Sequence, residues 1–288
     1  MQVHETIASF RRSLDVERAS DRRVGLVPTM GYLHDGHLSL MRAAGAECDV
    51  VAVTIFVNPL QFAADEDLTD YPRDLSRDLG LCESLGVDYA FTPSVEEMYP
   101  QPALTTVAVD ALSQTMEGVA RPTHFAGVAT VVAKLFNIAG QCVAYFGEKD
   151  YQQLAVIRRM ARDLDFPVTV IGCPIVRERD GVAMSSRNVY LTSAERDAAP
   201  TLHRSLQAGA AAIVAGERDA EEVRALMAAI VDAEPLAQLE YAEVVLADTL
   251  EPPVELEDED EVRLLVAAKL GGPRLLDNLG VRVPPVRE

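Results

Sequence analysis

The sequence predicts an α/β protein with a parallel sheet and a second, smaller α+β domain at its C-terminal end. Over the first 175 or so residues, apolar runs alternate with amphipathic stretches. Several of these runs are apolar throughout, as expected for parallel strands that are covered on both faces. Beyond Arg177 the alternation gives way to an Ala-rich region. We therefore expect a doubly wound, Rossmann-like domain at 1–175 and a smaller C-terminal α+β domain at 176–288.

The elements of the first domain follow from the alternation of short apolar runs with helical periodicity. This order implies βαβ units, and parallel sheets of this kind bind ligands beyond the carboxyl ends of their strands. The predicted strands are Val24–Val27, Asp49–Phe56, Asp88–Thr92, Cys142–Phe146 and Val168–Ile171, and the helical patterns lie near 37–46, 73–85, 126–139 and 151–164.

The C-terminal domain is predicted from weaker signals. An Ala-rich helical region spans about 193–232, and strand-like stretches follow near 239–247 and 262–267. The acidic run Glu255–Glu261 between them is typical of a solvated loop. We place the domain boundary near 175–190.

Composition narrows the class of protein. The 288 residues are 49% hydrophobic, without a run of eighteen apolar residues or an apolar N-terminal stretch, so we expect a cytoplasmic location. A net charge of −19 disfavours a nucleic-acid partner, and we expect no membrane partner either. The four cysteines form no CxxC and are expected to fill core positions as thiols: Cys48, Cys82, Cys142 and Cys173.

The first candidate site lies where the strand at Val24–Val27 ends and the next helix begins. His34 and His37 stand three residues apart there, near unpaired backbone N–H groups and the positive end of the helix dipole. Such a position readily holds a phosphate chain, and imidazoles can donate hydrogen bonds to its oxygens. Gly31 and Gly36 allow close backbone approach. The alternative is that the histidines only cap the helix.

A second candidate segment is Phe146–Asp150, between a strand and a helix. The chain has three lysines among its 26 basic residues, and one of them, Lys149, is here. It could reach a phosphate oxygen as a mobile point charge, while Asp150 could cap the helix, hold a ribose hydroxyl or bind a metal-bound water. A surface turn with an internal ion pair would look the same.

A third segment, Val182–Asn188, contains two hydroxyls followed by a guanidinium, which could grip a triphosphate; a polar interdomain linker is the alternative. The motifs GxGxxG and GxxxxGK[ST] are absent, so the nucleotide hypothesis depends on these segments together.

The fourth segment, Phe56–Phe62, places two amides, Asn58 and Gln61, among apolar residues after a strand. They suit a small polar substrate, or they are buried amides satisfied by backbone. Of Gln152 and Gln153, one should face the site and the other away from it. A second substrate path could include Glu117, Arg121 and His124, although a surface helix start is equally compatible with these residues.

In this order the segments resemble the pantothenate synthetase (pantoate–β-alanine ligase) family over essentially the whole chain. HxGH alone is shared by a superfamily of nucleotidyl-transfer enzymes, whereas the ordered set is specific. The matching motifs are Pro28–Gly31, His34-x-Gly36-His37, Phe56–Phe62, Asp70–Arg73, Arg121–Val128, Gly147–Gln153, Met184–Asn188 and Arg274–Asn278.

The resemblance implies that ATP and (R)-pantoate form pantoyl adenylate and pyrophosphate, and that β-alanine then displaces AMP to give pantothenate. It also implies Mg²⁺ with ATP, no tightly bound organic cofactor, no metal site made by the protein alone, and a homodimer. A closed, dry site would favour aminolysis over hydrolysis, with the C-terminal domain or the loop at 180–188 as the lid.

By resemblance, the catalytic residues are His34, His37, Lys149, Ser185, Ser186 and Arg187, with His37 the usual proton donor. The spacing does not decide between proton transfer and hydrogen bonding. Pantoate is placed against Gln61 and Gln153, and β-alanine near Gln61; Asn58, Tyr71 and Arg121 are weaker candidates near the substrates. The family pattern places ATP against Met30, Gly31, Tyr32, Leu33, His34, Asp35, Gly36, His37, Gly147, Glu148, Lys149, Asp150, Val176, Met184, Ser185, Ser186 and Arg187.

Three other functions are alternatives to the ligation of pantoate and β-alanine. A nucleotidylyltransferase acting on a phosphate monoester should have a basic substrate pocket, whereas the amides at 58, 61 and 153 are neutral. A class I aminoacyl-tRNA synthetase would need an RNA-binding surface, which the acidic C-terminal part does not suggest. A non-catalytic nucleotide-binding module would leave Lys149 and the loop Met184–Arg187 without a role.

Overall fold

The computed structural model describes residues 1–62, 68 and 71–285. Asp70, which belongs to one of the sequence motifs, lies outside the described residues. The chain divides into two compact units: Met1–Glu148 with Gln152–Pro174, and Lys149–Tyr151 with Ile175–Glu288. The domain limits 1–175 and 176–288 stay a prediction.

The first unit is built on a parallel sheet, as the alternating pattern predicted. Its central strands are apolar and buried along most of their length, because helices cover both faces. The order across the sheet is β1-β4-β3-β2-β5-β6, and every neighbouring pair is parallel. The strands are β1 (Gln2–His4), β2 (Val24–Thr29), β3 (Val50–Ile55), β4 (Tyr89–Phe91), β5 (Cys142–Gly147) and β6 (Val168–Cys173).

The strand order reverses between β2 and β5, which is where parallel sheets of this type bind ligands. From β2 the chain builds toward β4 on one side, and β5 then starts the other side. The β2–β5 ladder runs through Gly25/Val143 and Leu26/Ala144, three residues before either strand ends. The segments that follow β2 and β5 therefore leave the sheet beside its topological switch point.

Seven helices are described in the first unit and its connections. The helix at His124–Ala139 is buried on almost every side, consistent with its Val- and Ala-rich sequence, and forms the middle of the main core. The helices are α1 (Ile7–Ala19), α2 (Asp35–Glu47), α3 (Leu75–Ser84), α4 (Val95–Met98), α5 (Glu117–Ala120), α6 (His124–Ala139) and α7 (Tyr151–Asp163).

The second unit packs helices on one face of an antiparallel sheet, which confirms the predicted α+β class. The sheet order is β7-β8-β9, and alternate residues of each strand face the helices. The elements are α8 (Ser193–Ala198), α9 (Pro200–Val214), α10 (Ala220–Asp232), β7 (Ala237–Leu246), β8 (Glu261–Leu270) and β9 (Arg274–Arg282).

Several elements differ from the sequence prediction. The helical region 193–232 is three helices, because Pro200 starts a new helix and Gly216, at φ +109°, ends it. The acidic run is a mostly exposed loop as far as Asp260, anchored by buried Leu256, and its last residue, Glu261, begins β8. The sequence reasoning missed β1, α1 and β9 altogether.

Two further expectations can be compared with the structure. All four cysteines are free, and three of them are buried. Within the described ranges, the structure contains no helix of the length and apolarity needed to span a bilayer.

Candidate active site

The turn after β2 is held in place by a buried carboxylate. Gly31 and Tyr32 both have positive φ, at +86° and +51°, so this turn is locally unfavourable for an ordinary side chain. Asp78 on α3 is 1% exposed and accepts hydrogen bonds from the backbone N–H of Tyr32 at 2.7 Å and of Leu33 at 2.8 Å. These two bonds to one ionised group compensate the strain and orient the residues just before His34.

His34 and His37 cap helix α2 reciprocally. His34 is the N-cap residue, and its Nδ1 accepts a hydrogen bond from the N–H of Gly36 at 3.2 Å. The Nδ1 of His37 in turn accepts from the N–H of His34 at 3.3 Å. The ring centroids are 4.1 Å apart. The structure thus has the geometry of a capping box in which imidazoles replace the usual Ser or Thr and Glu.

This cap sets the tautomer of both rings. A neutral imidazole has one acceptor and one donor nitrogen, so a ring that accepts at Nδ1 carries its proton at Nε2. Both His34 and His37 therefore present an Nε2–H donor. The capping interpretation and the phosphate-binding interpretation are compatible, because capping uses Nδ1 and leaves the donor character at Nε2.

The two amides after β3 form a buried hydrogen-bonded group with Met30. Asn58 Nδ2 donates to Gln61 Oε1 at 3.2 Å and to the carbonyl of Gly127 at 3.1 Å, and Tyr99 OH donates to Asn58 Oδ1 at 2.9 Å. Gln61 Nε2 lies 2.9 Å from Met30 Sδ. The structure therefore brings Gln61 beside the first residue that follows β2.

Helix α6 contacts the backbone of this segment directly. A Cβ on Gly127 would lie 2.2 Å from the carbonyl oxygen of Leu60, so only glycine allows this approach. His124 Nδ1 donates to the Gln61 carbonyl at 3.0 Å, and Arg121 Nη2 donates to the same oxygen at 3.3 Å. The structure thus places Arg121 and His124 beside Gln61, and their part in a second substrate path stays a prediction.

Gln152 and Gln153 differ in burial and in their contacts. Gln152 is buried, and its amide bonds three backbone groups: it accepts from the N–H of Glu117 and donates to the carbonyls of Leu112 and Thr115. Gln152 therefore supports the 112–117 segment. Gln153 is only partly buried, and its contact with a substrate stays a prediction.

The segment after β5 forms a short 3₁₀ turn, Glu148–Asp150. Within it, Lys149 Nζ lies 3.5 Å from Asp150 Oδ1, with 22% and 50% of the respective side chains exposed. An internal ion pair is thus present, as the surface-turn interpretation required. A pair at 3.5 Å whose carboxylate is half exposed contributes little stability, so it leaves Lys149 able to exchange partners.

Residues Val176 to Met184 form a hairpin that leads into a 3₁₀ helix. Met184 N–H donates to the Val176 carbonyl at 2.9 Å, and Arg177 pairs with Ala183. Ser185 then caps the 3₁₀ helix Ser186–Tyr190 by accepting from the N–H of Arg187 at 3.3 Å. Ser185, Ser186 and Arg187 therefore lie on regular backbone, a cap followed by a 3₁₀ helix, and their grip on a triphosphate stays a prediction.

Within the second unit, Lys149 and Ser185 line the same small pocket, together with Asn188 and Asp277. Arg177 holds Asp277 with two hydrogen bonds, at 2.6 and 3.0 Å. In the residues the structure describes, no three His, Cys, Asp or Glu side chains form a cluster that could hold a metal ion.

Sequence reasoning missed Asp78 and the tautomer set by the histidine cap. Asp78 lies 44 positions from His34 within an ordinary amphipathic helix, and its role becomes visible only from its burial. Asn278 and Asp277 were noticed only as part of a family motif, because two polar residues in succession do not predict a buried strand.

A parallel sheet with a histidine-capped helix at its switch point defines this chain as an α/β protein of the kind that binds ligands beyond the carboxyl ends of its strands. The family model described as Pantoate-beta-alanine ligase matches residues 2–280. The chain therefore belongs to the pantoate–β-alanine ligase family.

Individual relatives agree with the family model. Pantothenate synthetase from Roseiflexus castenholzii is 54% identical over 96% of this chain and 98% of its own. That from Rhizobium meliloti is 52% identical over 96% and 95%. The crystal structure of pantothenate synthetase from Thermus thermophilus matches with a TM-score of 0.91, 47% identity, and coverage of 99% and 100%. Pantoate-beta-alanine ligase from Francisella tularensis, complexed with Beta-gamma ATP and Beta-alanine, matches with a TM-score of 0.77, 33% identity and 97% coverage of both chains.

Proposed function

We propose that this enzyme condenses (R)-pantoate with β-alanine in two steps, through a pantoyl adenylate, and that the residues described above perform both steps. Family membership supports the net reaction, in which ATP is converted to AMP and diphosphate. The Francisella neighbour is complexed with Beta-gamma ATP and Beta-alanine, and we propose that this chain also binds a nucleotide and β-alanine. The observation that carries the proposal is the reciprocal cap that makes His34 and His37 donate through Nε2.

In the first step a pantoate carboxylate oxygen attacks the α-phosphorus, and the bond to the bridging oxygen of diphosphate breaks. Both reactants are anions, so donors must offset their repulsion and stabilise the charge that develops on diphosphate. We assign this role in the first unit to the Nε2–H groups of His34 and His37. Met30–His37, Gly147 and Glu148 are our candidates there for the remaining contacts with ATP.

In the second unit we assign phosphate contacts to Lys149 and to the hairpin that ends in Ser185, Ser186 and Arg187. An ammonium group is suited to follow a phosphate oxygen whose position changes during displacement, since it is a point charge on a flexible stem. Asp150, Val176 and Met184 complete our candidate ATP contacts in this unit.

In the second step the neutral amine of β-alanine attacks the acyl carbon, AMP leaves, and the amine loses a proton. We place pantoate against Gln61 and Gln153, and β-alanine near Gln61. Gln61 is held by Asn58 and by the contacts to its own carbonyl, so it can orient both substrates without moving.

Mg²⁺ fits this set of residues as a companion of ATP. Mg²⁺ keeps several waters and is held mainly by phosphate oxygens with one or two carboxylates, and Asp150 offers a half-exposed carboxylate of that kind. When bound, the ion would neutralise charge on the phosphates.

We also propose that the enzyme is a cytoplasmic homodimer. The four free cysteines are typical of a reducing compartment, and the family resemblance supports the dimer. Sedimentation velocity at micromolar concentration should give a single species of twice the 31.3 kDa chain mass.

The function is tested by measuring AMP release from ATP and pantoate, with and without β-alanine, and by mass spectrometry of the product. Pantothenate should form only when all three substrates are present. AMP transfer to a phosphate monoester, without need for an amine, would instead identify a nucleotidylyltransferase.

The assignment of Lys149 has internal controls because the chain has only two other lysines. Lys149→Ala should slow adenylate formation by about 100-fold and leave the reaction of preformed pantoyl adenylate with β-alanine nearly unchanged. Lys269→Ala, an exposed position on β8, should leave both steps unchanged. Equal slowing of the two steps in Lys149→Ala would reject the assignment.

A further inference from the structure

The Lys149–Tyr151 segment belongs to the second unit although it follows a strand of the first. Three side-chain contacts hold it there. Asn278 Nδ2 donates to the carbonyl of Lys149 at 2.7 Å, the guanidinium of Arg263 lies 3.8 Å from the ring centroid of Tyr151, and Tyr151 OH donates to the carbonyl of Ala247 at 3.0 Å. The segment Lys149–Tyr151, called the lysine turn below, is thus attached to β8 and β9 and to the residue that follows β7.

Asn278 is the buried centre of these contacts. It is 1% exposed, and its two amide atoms have different partners, since Oδ1 accepts from Arg263 Nη1 at 3.1 Å while Nδ2 donates to Lys149. Its backbone is also bound, because its carbonyl accepts from Arg177 Nη2 at 3.1 Å. An amide with both ends bonded in a buried position can take only one orientation.

Asn278 and its neighbour Asp277 serve opposite faces of strand β9. Leu275, Leu279 and Val281 pack in the helix-covered core, so Asp277 lies on that face and Asn278 on the other. Asp277 binds Arg177, which also donates to the carbonyl of Gly181 in the hairpin before Ser185. Asn278 and Asp277 therefore hold the two candidate phosphate-binding segments of the second unit: Asn278 holds the turn with Lys149, and Asp277, through Arg177, holds the hairpin before Ser185.

We propose that Asn278 is a positioning residue for adenylate formation: it fixes the backbone of Lys149 so that the ammonium group reaches the phosphates of ATP. This inference rests on the proposed role of Lys149. A polar side chain in the middle of a buried strand is costly unless it is hydrogen-bonded, and here one of its bonds goes to the turn that carries Lys149.

A double-mutant cycle tests the proposal. Asn278→Ala should slow single-turnover adenylate formation by about 10-fold to 100-fold, the range expected when a reacting group is misplaced by about 1 Å. Aminolysis of preformed pantoyl adenylate should change by less than about twofold. In the Lys149→Ala background, Asn278→Ala should cause almost no further loss, because the group it positions is gone.

Val266→Ala is the matched control. Val266 is fully buried on the helix-covered face of the same sheet, so its truncation lowers stability without touching the lysine turn. At equal loss of stability in urea, this control should keep normal adenylate formation. Equal slowing of both steps by Asn278→Ala, or slowing that adds fully to that of Lys149→Ala, would overturn the proposal and leave the role of Lys149 intact. A normal rate in Lys149→Ala would instead reject the proposed function of Lys149, and the inference with it.

Asn278→Asp provides a second measurement if the alanine variant does not fold. This change keeps the acceptor for Arg263 but places a carboxylate oxygen against the Lys149 carbonyl. In wild type, ATP should protect Lys149 from acetylation by acetic anhydride, with Lys134 and Lys269 as internal references in the same mass spectrum. Asn278→Asp should lower that protection at least about fivefold; unchanged protection would overturn the proposal.

Discussion

Replacing Asp78 with alanine would remove the carboxylate that holds the turn before His34. The side chain is 1% exposed and accepts from two backbone N–H groups, at 2.7 and 2.8 Å. A hydrogen bond to a charged group contributes roughly 1.5–3 kcal/mol, so the two together set an upper range of about 3–6 kcal/mol. Because the turn can relax toward solvent on the Tyr32 side, we expect a loss of about 3 kcal/mol in the free energy of unfolding.

The Asp78→Asn variant separates charge from shape. Its single amide oxygen can accept from one of the two N–H groups, while its NH₂ faces the other, so we expect a loss of about 2 kcal/mol. Both variants should slow adenylate formation at least about 10-fold in the folded fraction, since the turn leads directly to the histidine cap.

Urea unfolding and single-turnover adenylate formation are the measurements. Asp74→Ala is the control on the same helix: its carboxylate caps α3 by accepting from the N–H of Arg77, so its loss should lower stability by about 1 kcal/mol and leave the rate unchanged. Asp78 variants within about 0.5 kcal/mol of wild type, or a rate that falls only in proportion to the unfolded fraction, would refute the reasoning.

Three other changes test separate parts of the structure. Gly127→Ala should destabilise the protein by about 2–3 kcal/mol, because the new methyl group would overlap the Leu60 carbonyl; urea unfolding checks this, and a neutral effect contradicts it. Gln152→Ala should cost about 2–3 kcal/mol by leaving backbone groups unpaired, with little effect on the pantoate KM in enzyme that remains folded. Burial, reinforced by Arg177, lowers the pKa of His203, so the unfolded chain binds the proton first and stability should fall as the pH drops below about 6.5. The loss of unfolding free energy between pH 7 and pH 5 should be smaller in His203→Gln than in wild type. Urea midpoints that do not change between these pH values in either protein would contradict this prediction.

The middle of the first unit's sheet was predictable because its central strands are buried on both faces. Strand β3 was expected at Asp49–Phe56 and spans Val50–Ile55, and the sequence there is apolar at nearly every position. Strand β1 was missed because three residues at an edge carry too short a pattern. Strand β9 was missed because Asp277 and Asn278 interrupt its apolar alternation.

The sequence positions of the candidate site residues were predictable, but the residues that hold them in place were not. The pattern placed His34 and His37 at a helix start, and the structure puts them there. Their catalytic role, like the ligand contacts of the other site residues, stays a prediction. No local pattern could reveal that Asp78 holds the turn or that Asn278 holds Lys149, because these contacts join residues 45 and 129 positions apart.

The path of the chain between its two units limits how the protein can be divided. It leaves the first unit at Lys149, returns at Gln152 and leaves again at Ile175, so a single cut near residue 175 would separate Lys149 from the strand that supports it. An isolated N-terminal fragment would expose the Tyr151 ring and lose the partner of the Lys149 carbonyl. Chimeras that exchange C-terminal halves between family members should therefore transfer residues 149–151 together with the residues after 174.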